Sequence, residues 1–207
     1  HIGHAYTTIA CDILSRFNKL KGDETYFLTG TDEHGQKVEK AALSSKKDTQ
    51  DFVDEMSKNF RDLVPYLGCE IDDFVRTTEK RHKISAQFLW NKLKNNDQIY
   101  LSNYEGWYSI RDEAFYVESE LTKTDKGFLA PSGAPVDWVK EESYFFKLSK
   151  WEDKLIQYYE KNPDSILPKS RYNEVVSFIK GGLKDLSISR TTFNWGIKVP
   201  DAEKHVM

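Results

Sequence analysis

Phe27-Leu28-Thr29-Gly30-Thr31-Asp32-Glu33-His34-Gly35-Gln36-Lys37, taken with the opening His1-Ile2-Gly3-His4, decides the fold. Thr25-Tyr26-Phe27-Leu28 reads as a buried strand, and Asp32 falls just past its carboxyl end, where open α/β sheets hold their ligands. The opening residues stand where a helix begins. Ile9, Ile13, Leu14, Phe17 and Leu20 recur at helical spacing between Ala5 and the stop at Gly22. Gly3 lets backbone approach an anion closely, and His1 and His4 both reach out from the first turn, so the two imidazoles can grip phosphate. Neither piece is specific alone, because a glycine between polar residues is also an ordinary turn. His34, in the turn between Gly30 and Gly35, either contacts a ligand or only caps the helix that follows.

The pattern continues outward from that pair. Gln36 to Ser44 reads as a short helix, and Thr49 caps a longer one carrying Phe52, Val53, Met56, Phe60, Leu63 and Leu67 until Pro65 and Gly68 end it. Asp73 to Thr78 reads as a strand. Glu79 to Asn96 follows as a helix with Ile84, Phe88, Leu89 and Leu93 inward, and with Arg81 and His82 solvated in its first turn. Strand and helix alternate, which predicts a Rossmann-like parallel sheet with right-handed crossovers.

From Ile99 the texture changes. Tyr100, Tyr104, Trp107, Tyr108, Phe115 and Tyr116 interleave with polar residues and Gly106, as β-hairpins do. Gly127 to Pro135 is turn-rich, Tyr144 to Leu148 reads as a strand, and Lys150 to Lys161 as a helix with Leu155, Ile156 and Tyr159 inward. Ser170 reads as the N-cap of a helix over Tyr172 to Lys180 stopped by Gly181-Gly182, and Leu186 to Arg190 as a strand returning toward the main sheet. The expected organisation is a nucleotide-binding core over 1–97, an inserted α+β domain over 98–195, and a return to the core over 196–207.

Composition sets limits on function. The 207 residues are 39% hydrophobic and 14% aromatic, enough for a real core. Thirty Lys plus Arg against 33 Asp plus Glu give a formal charge of −3, so no overall basic field advertises nucleic acid, and any RNA contact is local. No apolar run approaches the roughly 20 residues of a membrane helix. A soluble, cytoplasmic protein is expected, with no membrane partner. Cys11 and Cys69 form neither a disulfide framework nor a metal-ligand set, and Cys11, within a helix, is expected to be buried.

The two motifs together resemble the class I aminoacyl-tRNA synthetases, and in detail the methionyl-tRNA synthetase family. There HIGH binds the ATP phosphates, and a strand of the form FLTGTDEHGQK supplies the aspartate that holds the amino group of methionine. Phe27 to Lys37 matches that form at every position. The similarity continues through Arg76-Thr-Thr, Tyr104-Glu-Gly-Trp-Tyr-Ser, Arg171-Tyr-Asn-Glu-Val and Ser187-Ile-Ser-Arg190, so it covers essentially the whole chain. The resemblance implies ATP-dependent activation of L-methionine, with Mg²⁺ and transfer to tRNA(Met). It assigns His1, Gly3 and His4 to the ATP phosphates, with His1 and His4 catalytic. Asp32 goes to the methionine ammonium, and His34 is a further candidate for the substrate. Residues 98–195 correspond to the family's connective peptide. Many members carry a CxxC zinc knuckle there; no cysteine stands in that region here, so Tyr104 to Glu120 is expected to be a knuckle of packed aromatics without structural zinc. An aromatic platform for RNA bases is the rival reading of that segment.

The chain opens inside a motif that needs a preceding strand and ends without a KMSKS-like loop, so it reads as a fragment with little activity of its own. Two other classes of function compete. His1, His4, His34 and Asp32 could ligate a metal in a hydrolase, or the fragment could be a non-catalytic tRNA-binding piece.

Overall fold

The computed structural model describes residues 2–112, 114–125 and 127–207. The chain divides into two compact units. One runs to Phe88 and takes in Trp195–Ile197, and the other comprises Leu89–Asn194 and Lys198–Met207.

In the first unit the order is α1 (Ile2–Leu20), β1 (Leu28–Thr31), α2 (Gln36–Ser44), α3 (Thr49–Tyr66), β2 (Asp73–Arg76) and the start of α4 (Lys80–Asn95). The α/β reading holds: β1 and β2 pair in parallel, Leu28 opposite Asp73 through Thr31 opposite Arg76. Their entry is fixed by a reciprocal pair of bonds, Phe27 N–H donating to the Asp72 carboxylate at 2.6 Å and Asp72 N–H to the Phe27 carbonyl at 2.9 Å. Among the described residues, Phe27, Ala42, Val53, Val64, Cys69, Phe74 and Ile197 are the buried apolar residues of this unit. The Asp48 side chain caps α3, accepting from the N–H groups of Gln50 (2.8 Å) and Asp51 (3.2 Å), so the cap lies one residue before the expected Thr49. The shift follows from chemistry, since a carboxylate accepts more strongly than a hydroxyl.

Other expectations are corrected as well: the buried strand expected over Thr25 to Leu28 begins only at Leu28 and runs to Thr31, and Tyr26 and Leu28 are exposed. Ile13, Leu14, Phe17 and Leu20 of α1 are 57–88% exposed, and the buried residue of the helix is Asp12. Asp12 accepts from the Glu70 N–H (2.9 Å) and from Arg16 Nε (2.7 Å), while Arg16 Nη2 donates to the Gly68 carbonyl at 2.9 Å. This polar clamp turns the Ala5–Thr8–Asp12–Ser15 face inward, roughly 100° around the helix from the apolar stripe. Cys11, about one 100° step from Asp12, is therefore exposed, and Cys69 is the buried cysteine. In α4, Ile84, Phe88 and Leu89 are exposed and Trp90 is buried instead.

The second unit is antiparallel. β3 (Ile99–Ser109), β4 (Ala114–Tyr116), β5 (Thr122–Thr124), β6 (Gly127–Leu129) and β7 (Pro135–Phe146) form a sheet in the order β4-β3-β7-β6-β5. Next come α5 (Glu152–Lys161), α6 (Lys169–Lys180), β8 (Leu186–Ser187) and a closing pair, β9 (Lys198–Val199) with β10 (Ala202–Val206). β8 pairs with β7, Phe145 opposite Ser187, and Arg190 bridges Val206, so this segment joins the antiparallel sheet rather than the parallel one. α6 begins at Lys169 after Pro168, with no side-chain cap from Ser170. Trp90, Ile99 and Val199 form one core, with Leu93 and Tyr144 against it; Ala130, Ala134 and Val136 form another beneath Trp107, Tyr116 and Phe128.

The region expected to be a knuckle is packed by rings. Tyr104 and Phe115 lie 3.8 Å apart by centroid, Tyr108 and Phe115 4.6 Å, and Trp107 and Phe128 4.6 Å. Asp112 ties the turn, accepting from the hydroxyls of Tyr116 (3.0 Å) and Ser132. Among the described residues no helix is long and apolar enough to cross a membrane.

Gly30 makes the β1–β2 register possible. A Cβ there would lie 1.9 Å from the Val75 carbonyl oxygen, far inside contact distance, and that atom belongs to backbone and cannot swing away. Gly30→Ala should therefore force the parallel strands apart and destabilise the chain by about 3 kcal/mol or more, the upper range for overpacking. Equilibrium urea unfolding checks this, and a midpoint equal to wild type would contradict the register.

Candidate functional site

The carboxyl ends of β1 and β2 carry a buried network that sequence reading did not single out. Glu33 is 3% exposed and accepts from Arg76 twice, Nε at 2.7 Å and Nη2 at 3.1 Å. It accepts also from the hydroxyls of Thr31 (2.6 Å) and Thr78 (2.5 Å). The backbone of Glu33 is held as well, its N–H by Thr77 Oγ1 at 2.9 Å and its carbonyl by Trp195 Nε1 at 2.6 Å. Arg76 reaches on to Asp54 of α3 at 2.5 Å. Burial alone would raise the Glu33 carboxyl; the bonds from Arg76, Thr31 and Thr78 outweigh it and hold it below the usual carboxylate range. A usable signal was present in the sequence: a Thr-x-Glu at one strand end and Arg-Thr-Thr at the other.

Thr31 and Glu33 turn their side chains to this network, so Asp32 between them faces the other way. There it lines a cleft of about 350 Å³ with His4, Thr7 and Thr8 of α1, Thr29 to Thr31, Phe60, Leu63 and Val64 of α3, and Phe74 of β2. The structure thus brings His4 and Asp32, 28 residues apart in sequence, to one cavity. The His4 ring stands edge-to-face against Phe60, centroids 4.9 Å apart at 87°. Gly3 precedes it in the first turn of α1, whose amides give the helix start its positive end. The Thr8 hydroxyl is committed to the His4 carbonyl at 2.9 Å. His1 lies outside the described residues.

Asp32 does not cap α2. The N-cap position is Gly35, at φ 104° where a side chain is strained, and no side chain caps it. His34 is likewise not a cap, nor is it among the residues lining the cleft; its ring lies 5.6 Å from Trp195, tilted by 55°. Burial first, and Lys83 beside it, hold the His34 imidazole below its ordinary range. His82 is not the solvated residue expected: its Nδ1 is enclosed, with no hydrogen-bond partner among the described residues. Among the described residues no three His, Cys, Asp or Glu side chains are grouped to hold a metal ion. His4, Asp32 and His34 do not form a ligand set.

An α/β crevice with a helix start on one wall and a carboxylate past a strand end on the other defines a nucleotide-binding class of fold. The family of class I tRNA synthetases (M) matches residues 1–125 and 130–207, and the chain belongs to it. The methionine–tRNA ligase of Rickettsia typhi is 63% identical over 207 residues, covering 100% of this chain and 40% of that protein. The methionine–tRNA ligase of Rhizobium meliloti is 51% identical over 208 residues. The Mycobacterium tuberculosis methionyl-tRNA synthetase, in a crystal structure bound by methionyl-adenylate, superposes with a TM-score of 0.96 at 47% identity, covering 100% of this chain and 41% of that one. The chain spans about 40% of the length of the relatives it matches.

The Glu33 pair makes stability depend on acid. Its folded pKa is depressed below the ordinary 4.5, so its contribution is complete above that value and is lost as pH falls through the folded pKa. Glu33→Gln should cost about 3 kcal/mol near neutral pH, the scale for leaving one partner of a buried pair uncompensated, and should flatten the acid limb of the stability profile below pH 4.5. Urea unfolding at a series of pH values measures both.

Proposed function

We propose that the gene's complete product activates L-methionine with ATP and transfers it to tRNA(Met), and that His4 and Asp32 work in the first step. The observation carrying this reading is that His4 and Asp32 line one cleft in a chain of this family. In the activation step a methionine carboxylate oxygen bonds to the α-phosphorus of ATP while the bond from that phosphorus to pyrophosphate breaks. The nucleophile is already an anion, so no general base is needed. Catalysis is then positioning and electrostatic stabilisation. His4, with Gly3 in the same first turn, would steady charge on the phosphates from the start of α1, and the motif gives His1 the same role. Asp32 would hold the α-ammonium, and His34 would act by packing against Trp195 rather than by touching substrate. Mg²⁺ arrives with the nucleotide as part of the substrate. We read the enzyme as cytoplasmic, with residues 98–195 as the connective insertion and its knuckle free of structural metal.

Methionine-dependent ATP–pyrophosphate exchange by the complete product, with all amino acids compared, tests the assignment. His4→Ala should lower the exchange rate by about 10²-fold, the scale for one preorganised transition-state donor, with little change in methionine KM. Asp32→Asn keeps shape and removes charge, and should raise methionine KM by at least ~10-fold with a smaller change for ATP. A wild-type methionine KM in Asp32→Asn would sink that role. Chelators should leave the melting temperature unchanged, in contrast to a structural zinc site, and a stoichiometric zinc whose removal lowers it would refute the metal-free knuckle.

A further inference from the structure

We propose that Phe60 is a positioning residue for His4, an inference that rests on the adenylation reading above. Phe60 sits on α3 and is half-buried, whereas His4 is exposed at the first turn of α1. Edge-to-face contact with a fixed ring favours the imidazole orientation that makes it over those that do not. α3 provides that fixed ring. Val53, Ser57 and Val64 bury it, Asp48 caps it, Asp54 meets Arg76, and Ser57 Oγ lies 3.3 Å from Thr31 Oγ1. The orientation of His4 is thereby referenced to the same strand end that aims Asp32.

Phe60 also stands between two cavities. One is the cleft containing His4; the other, of about 120 Å³, is lined by Asp32, Val38, Phe52, Met56 and Phe60. Asp32 and Phe60 border both. A smaller, non-aromatic side chain at position 60 leaves a gap between the cavities and removes the ring against which His4 is set. The consequence is a loss in rate rather than in methionine binding, because the ammonium partner is untouched.

The test compares Phe60→Leu, Phe60→Tyr, His4→Ala and the His4→Ala/Phe60→Leu double variant of the complete product in ATP–pyrophosphate exchange. Phe60→Leu should lower kcat about 5-fold, within the range of one aromatic pair, with methionine KM within about 2-fold of wild type. Phe60→Tyr keeps the ring and should restore the rate. In the His4→Ala background Phe60→Leu should cost nothing further, since the group it positions is gone. The His4 ring protons, assigned by their loss in His4→Ala, should show a ring-current shift that disappears in Phe60→Leu and persists in Phe60→Tyr. Phe60→Met repeats the comparison where the leucine variant fails to fold. A wild-type rate in Phe60→Leu, a full additional loss on top of His4→Ala, or unchanged His4 resonances would each overturn the proposal. Absence of exchange in wild type overturns the adenylation reading instead, and the His4 resonances then decide the contact by themselves.

Discussion

The bidentate pair between Glu33 and Arg76 is the constraint on which the first unit depends. A carboxylate that is 3% exposed must have its charge met inside the protein, and here Arg76 and two threonine hydroxyls meet it. Because Glu33 lies just past β1 and Arg76 is the last residue of β2, the pair locks the two parallel strands at the end where the crevice opens. Alternation then leaves Asp32 one orientation, toward the cleft. The close approach of Gly30 to Val75 belongs to the same constraint, since the strands lie too near for any side chain at that point.

The α/β class, the parallel pairing, the bounds of α2 at Gln36 and Ser44, and the place of Asp32 past β1 could all be read from periodicity and turn residues. What could not be read shares one physical cause. Apolar spacing reports which face of a helix is greasy; the face turned inward is decided by the strongest contacts available to it. In α1 that contact is the Asp12 clamp on Glu70 N–H and Arg16, so the small polar face went inward and Cys11 with the apolar stripe stayed outside. The same competition moved the α3 cap from a threonine to Asp48. Glu33 was legible as part of a motif and illegible as its organising charge, because its partner stands 43 positions away and only tertiary structure joins them.

The second unit solves a different problem, stabilising short strands without cysteines. Paired rings along β3, β4 and β6 do this, and Arg190 joins them with its guanidinium 4.7 Å from the Phe115 centroid and its Nε 3.7 Å from Glu141. A string of Ser189, His205 and Glu142 has the composition of a nucleophilic triad: Ser189 Oγ is 3.0 Å from His205 Nδ1, and His205 Nε2 is 3.2 Å from Glu142. Geometry decides against that chemistry. Ser189 is 1% exposed and its oxygen accepts from the Tyr144 N–H at 2.9 Å, so no substrate carbonyl reaches it, and the string serves to hold β7 to the chain's closing segments.

The cleft in the first unit is polarised by construction. The amides at the start of α1 give one wall a fixed positive end, while Asp32 gives the other a negative charge supported by the strand end beneath it. Opposite charges are therefore favoured at opposite walls of the cleft. Preorganisation of this kind needs both walls referenced to one frame. α3 supplies it, touching His4 through Phe60 on one side and Arg76 through Asp54 on the other. A frame that let either wall drift would change the separation of the helix start from the Asp32 carboxylate, and the contacts of α3 to both sides hold that separation.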